Sequence, residues 1–278
     1  SNVMDMSNMF QGCGKLESID LRNLNTSSTT NFSGMFAACK SLTALDLSSF
    51  STSKATDMGG MFNSCEKLES LDLSNFDTSN VQHMDRMFHN CLSIHFLNLS
   101  SFNTSNVTYM SSMFSNCSSL TSLDVSSFNT SSAKFMSEMF SGCTSVVNLS
   151  LSNFSTAAVS DTSSMFDGCT SLASLDISHF DTSLVSSMSN MFWNCTSLRS
   201  VALGDKFSFN GSKGARQCAL PKLEGDGLTG LWENTETHEA YAENKIPNNV
   251  AATYTAQVKG ETQKTAIDES MFAVDTAA

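Results

Sequence analysis

A strict 26-residue period constrains this chain more than any other feature. Cys13, Cys39, Cys65, Cys91, Cys117, Cys143, Cys169 and Cys195 each follow the last by 26 residues, and Met-Phe pairs keep the same step from Met9-Phe10 to Met191-Phe192. No insertion breaks the register, so successive units must take equivalent places in a stacked array. A unit that cannot bury its apolar face alone buries it against its neighbours, and one continuous core results.

The unit from Leu68 to Ser93 serves as reference. Leu71 and Leu73 alternate with Ser70, Asp72 and Ser74, the pattern of a short half-buried strand. Phe76 follows as an inward plug, repeated by Phe50, Phe102, Phe128, Phe154 and Phe180. Asp77-Thr78-Ser79 has the short polar side chains of a turn or a helix N-cap. Val81, Met84, Met87, Phe88 and Cys91 then recur at helical spacing. The residue before each cysteine is most often Gly or Asn, as in Gly12, Asn90, Asn116 and Gly142, which suits the left-handed position that ends a helix.

The expected fold is an α/β solenoid. It is a leucine-rich-repeat-like right-handed superhelix of about eight 26-residue turns. Parallel strands would line the concave face, with short helices or helical turns outside. A parallel β-helix without true helices is the competing geometry. Both prolines, Pro221 and Pro247, lie beyond residue 203, so no ladder donor is removed within the array. The period stops near Gly204. Residues 204–258 read as a small β-rich C-terminal cap with Trp232 and Tyr254 in its core, and residues 259–278 as a flexible linker to a further module. Ser1-Asn2-Val3 already stands in repeat phase with Ser79-Asn80-Val81, so the chain reads as a piece of something longer.

The strand half, LxxLDLSxF, resembles a leucine-rich repeat. The whole unit, LxxLDLSxFDTSxVxxMxxMFxxC, is similar to BspA-like surface-protein repeats of the DUF285 type, found in mycoplasma lipoproteins and Gram-positive surface proteins. The resemblance covers roughly residues 1–203. It implies an extracellular protein of the bacterial cell surface and a role in adhesion or host interaction. No lipobox and no cell-wall sorting motif accompanies it, which leaves the anchor open.

The net charge of −12 argues against nucleic acid and against anionic membrane surfaces. No apolar run is long enough to insert into a membrane. The cysteine ladder reads as buried reduced thiols filling a tight corner, with neighbour disulfides as the alternative. Cys218 lies outside the register and reads as a lone thiol, a bond to Cys195 being the alternative. No CxxC or CxxH pair offers zinc spacing, so no metal and no cofactor is expected. The histidines, led by His83, His89 and His95, share no helical face, and no GxSxG elbow or phosphate loop is present, so no catalytic residues are assigned.

Two surface features could bind. Asp46, Asp72, Asp124 and Asp176 form an outward row flanked by serines. Like charges stacked at strand spacing repel. Either the carboxylates accept hydrogen bonds from those serines, or they recruit a basic partner, a glycan or loosely held Ca²⁺, although no DxDxDG loop supports a dedicated site. The second feature is the set of places where the period holds and the residue changes. Phe96 replaces a small residue on the strand. His83, Tyr109 and Phe135 replace Asp5, Asn31, Asp57, Asp161 and Ser187 at one equivalent position, and Trp193 follows Phe192 where other units are small or polar. Exposed aromatics at one place mark a contact patch. The expectation is a monomeric, non-enzymatic binding module for a protein or glycan on a host or neighbouring cell; a structural stalk that presents another adhesive domain is the alternative.

Overall fold

A computed structural model describes residues 2–214 and 217–260. The expected helices are absent: no α-helix occurs among the described residues. The reason lies in two left-handed positions per turn, four residues apart. Asn8, Gly34, Gly60, Arg86, Ser112, Glu138, Ser164 and Asn190 form one column of positive φ. Gly12, Ala38, Ser64, Asn90, Asn116, Gly142, Gly168 and Asn194 form the other. The second column is the one the Gly/Asn pattern before each cysteine marks. A helix cannot pass through the first, because left-handed residues occur singly and not as helix.

Instead the segment winds as overlapping turns whose N–H groups alternate in direction. In the reference unit the N–H groups of Met87, His89 and Cys91 close four-residue turns onto the carbonyls of Met84, Arg86 and Phe88 at 3.2, 3.1 and 3.1 Å. Those of Arg86, Phe88 and Asn90 reach the next unit, donating to Ser111, Met113 and Ser115 at 2.9, 2.9 and 2.8 Å. A parallel bridge precedes this turn in every unit, linking Asp5, Asn31, Asp57, His83, Tyr109, Phe135, Asp161 and Ser187 in unbroken succession. The apolar spacing was read as a helical face; the same residues point inward because the chain doubles back every few residues.

The strand side is the less continuous one, which corrects the expectation of an unbroken parallel strand face. β1 (Ser70–Asp72) pairs in parallel with β2 (Phe96–Asn98). β3 (Ser174–Ile177) pairs in parallel with β4 (Ser200–Leu203). The stacked repeat array is therefore knitted chiefly by its turn ladder. At the C-terminal end, β5 (Leu228–Asn234), β6 (Ala240–Tyr241) and β7 (Ala252–Val258) complete one sheet in the order β3-β4-β7-β5-β6. β7 runs antiparallel to β4, pairing Val201 with Tyr254, so β7 extends the sheet of the last turns. Trp232 and Tyr254 are fully buried there, and the indole N–H of Trp232 donates to the Pro221 carbonyl at 3.1 Å. The Met271-Phe272 pair lies outside the described residues.

Columns of Leu, Met and Val fill much of the interior, and columns of phenylalanine, cysteine and threonine run beside them. The rings of Phe36 and Phe62 stack 5.9 Å apart with parallel planes, and the column runs from Phe10 to Phe192 with spacings between 5.4 and 6.0 Å. Such offset stacks add about 0.5–1.5 kcal/mol per pair beyond area burial. The thiols of Cys65, Cys91, Cys117 and Cys143 donate to the preceding unit's Phe carbonyl at 3.2 Å, all in the same direction along the array. None of the nine cysteines is in a disulfide; Cys13, on the first turn, is exposed and the others are buried. Burial pushes Cys91, Cys143 and Cys195 up to about 12, so these thiols stay protonated.

The third column is threonine: Thr26, Thr52, Thr78, Thr104, Thr130, Thr156 and Thr182, all buried. Each hydroxyl serves one residue of the next turn twice. Thr104 Oγ1 donates to the Asn129 carbonyl at 2.9 Å and accepts the Asn129 N–H at 2.8 Å. A buried hydroxyl that both gives and receives carries no desolvation debt, and it satisfies backbone groups at a corner with no strand partner.

Two outcomes are expected. Thr104→Val leaves both Asn129 backbone groups unsatisfied and costs about 1–3 kcal/mol in chemical denaturation, whereas Thr104→Ser keeps both bonds and costs less. Ellman titration of the native chain reports one fast thiol, Cys13, and releases the other eight only on unfolding; a second fast thiol would contradict the buried column.

Candidate binding surface

The aspartate row is built into the turn that follows each strand-side segment, whether or not that segment pairs as a strand. The carboxylates of Asp46, Asp72, Asp124 and Asp176 accept the N–H of the serine two residues on at 3.0, 3.0, 2.9 and 3.0 Å. These bonds hold all four below the ordinary carboxylate value. The serine hydroxyl contributes most for Asp46 and Asp124, the serine N–H most for Asp72 and Asp176. Asn98 makes the same contact to Ser100 at 3.2 Å and donates across to Asp72 at 3.1 Å. An amide thus replaces a carboxylate without changing the turn. The row is a set of local caps, and no group of three or more His, Cys, Asp or Glu side chains among the described residues could hold a metal ion.

The same capping logic makes the aromatic substitutions informative. At the parallel-bridge position, Asp5, Asn31, Asp57 and Asp161 each accept the N–H two residues on at 2.8 to 2.9 Å. His83, Tyr109 and Phe135 stand at that position in three successive units, and the ring of Phe135 offers no acceptor for such a cap. The parallel bridges bring the three side chains to stacking distance. His83 and Tyr109 lie 4.5 Å apart with 7° between planes, and Tyr109 and Phe135 lie 5.2 Å apart with 15°. Tyr109 is 39% exposed, and the His83 side chain 40%. The result is a three-ring ribbon on the surface of the repeat array, rigid because its backbone belongs to the turn ladder: Met84 N–H donates to the Tyr109 carbonyl and Met110 N–H to that of Phe135, both at 3.0 Å.

Phe96 and Trp193 are exposed, at 53% and 68%, but neither belongs to this ribbon. Phe96 stands on β2 opposite Ser70, in the strand ladder. Trp193 lies on the last turn, at a cleft beside residues 217–224. The histidines are likewise dispersed: His83 in the bridge column, His89 within the turn, His95 just before β2. Burial lowers the pKa of His89, whose Nδ1 is enclosed without a hydrogen-bond partner. The threonine column was legible as an invariant Thr at the 26-residue step, yet its short polar triplet reads equally as a turn. The left-handed column at Asn8 and its equivalents was hidden by Arg86, Ser112, Glu138 and Ser164, residue types that seldom adopt positive φ.

Among solved structures, the chain is similar to a leucine rich cell surface protein from Faecalibacterium prausnitzii A2-165, at 18% identity over 78% of this chain and 76% of that one, with a TM-score of 0.32. No match is found among curated proteins. The family model described as "Mycoplasma protein of unknown function, DUF285" matches residues 1–95, 67–173 and 123–210. These spans run through the whole periodic array, and the chain belongs to the DUF285 family.

Proposed function

We propose that this array is a non-enzymatic binding module of a bacterial cell-surface protein, and that it contacts a partner protein through the His83-Tyr109-Phe135 ribbon. One observation carries the reading. Three consecutive units give up an Asx cap, a feature whose loss typically costs about 0.5–2 kcal/mol at a helix N-terminus, and install stacked, partly exposed rings in its place. Drift on a tolerant surface does not ordinarily put three rings in adjacent register. A rigid aromatic strip with polar surroundings is the usual anatomy of an interface centre. The partner face is apolar or basic: the chain's own charge of −12 favours such a face in diffusional encounter.

Phe96 is a secondary contact on the strand side. Asp46, Asp72, Asp124 and Asp176 contribute charge around it, their first role being to cap the strand turns. A stalk function makes the opposite demand, since a spacer needs no exposed rings.

The test is adhesion of the purified chain to epithelial cells and to whole bacteria, compared with Tyr109→Ala and Phe135→Ala. Each substitution is expected to weaken adhesion roughly 10-fold or more. The melting temperature should stay near the parent value, because the rings are partly exposed and their backbone bonds remain. Unchanged adhesion by both variants would sink the ribbon, and no adhesion by the parent chain would favour the spacer.

A further inference from the structure

The turn ladder is directional, and its direction leaves a consequence at the last turn. In every earlier unit the N–H groups equivalent to Arg86, Phe88 and Asn90 donate to carbonyls of the next turn. In the last unit the equivalents are Asn190, Phe192 and Asn194. The N–H groups of Trp193 and Cys195 close local turns onto Asn190 and Phe192 at 2.9 and 3.4 Å, as the pattern requires. Those of Asn190, Phe192 and Asn194 meet no acceptor among the described residues. They lie where a further turn would sit, and that place is a cleft of about 760 Å³ lined by the same three residues, Trp193 and the segment from Gln217 to Glu224. Asn190 and Asn194 are exposed and Phe192 is buried, so this row of backbone donors without a protein acceptor opens on the cleft and suits a ligand rich in acceptors.

The rest of the lining says which kind. Trp193 is the largest exposed apolar surface there, at 68%, while other units carry Gln11, Ala37, Asn63, His89, Ser115, Ser141 or Asp167 at the same position. Its carbonyl accepts the Gly168 N–H at 2.8 Å, so the indole is carried on a fixed backbone. Around it stand the planar amides of Asn190, Asn194, Gln217 and Asn244, each with donors and acceptors. The opposite wall is held in place as well, because buried Trp232 donates to Pro221 at 3.1 Å. Glu224 and Glu243 also face the cleft, and Lys222 is engaged with Glu224 at 2.9 Å, so an anionic ligand would meet net negative charge.

We infer that this cleft is a carbohydrate site for a neutral saccharide, with the Trp193 indole as platform for the apolar face of a pyranose ring. The N–H groups of Asn190, Phe192 and Asn194 donate to its oxygens, and the surrounding amides select among hydroxyl arrangements. The site is separate from the aromatic ribbon and does not rest on it.

Fluorescence makes the test direct, since the chain has two tryptophans and Trp232 is fully buried. The full chain is screened on a printed array of neutral, sulfated and sialylated oligosaccharides, and each saccharide retained is titrated against tryptophan emission. At least one neutral saccharide is expected to bind and shift the exposed Trp193 emission to the blue. Trp193→Ala should weaken that saccharide roughly 10-fold or more, Trp193→Phe by less, and Tyr109→Ala not at all. Unfolding midpoints of the three variants, measured alongside, separate lost binding from lost fold. Retention of no saccharide, retention of anionic ones alone, or full binding by a folded Trp193→Ala would each overturn the site.

Discussion

Everything in this chain depends on which way alternate backbone N–H groups point in the turn segment. Two left-handed residues per unit divide the amides into a set that closes local turns and a set that reaches the next unit. Each residue's role is thereby tied to its phase. One inserted residue would send the wrong set outward and break every bond to the neighbouring unit. The 26-residue period is strict because the hydrogen-bond direction requires it, and the hydrophobic core alone would tolerate more. Cysteine, phenylalanine and threonine columns follow as the side chains that fit, or that satisfy, the corners this path creates.

The extent to which this was legible follows the same division. The stacked array, its continuous core and the left-handed residue before each cysteine were readable, because glycine and asparagine recur there openly. The helix reading failed because apolar spacings of three and four residues fit a helical face and a chain of tight turns equally well. Deciding between them needed the second left-handed column. Gly34, Gly60, Asn8 and Asn190 mark it, but Arg86 and Glu138 conceal it, held at φ of 55° and 57° by an N–H bond to the next unit and a carbonyl bond within their own turn. The strand face was over-read for a related reason: its alternation marks burial, and burial does not guarantee pairing between every adjacent unit.

The surface features were located by their departure from the period, and physical meaning came from the caps they displaced. Seen as side chains alone, His83, Tyr109 and Phe135 are three aromatics on a polar surface. Seen in the ladder, they replace a recurring hydrogen bond and stack in its place. The aspartates go the other way: a suspicious row of like charges becomes a set of turn caps once Ser48, Ser74, Ser126 and Ser178 are seen to donate to it. The cleft at the last turn was not visible in the residues at all, since it arises from the direction of a ladder that no side-chain pattern encodes.

The most direct measurement is the scalar coupling transmitted through hydrogen bonds by NMR on the deuterated chain. The turn ladder predicts a coupling from the Phe88 amide nitrogen to the carbonyl carbon of Met113, one unit away. A coupling from Phe88 to Met84 within the same unit would be the signature of a helix, and it would contradict the account.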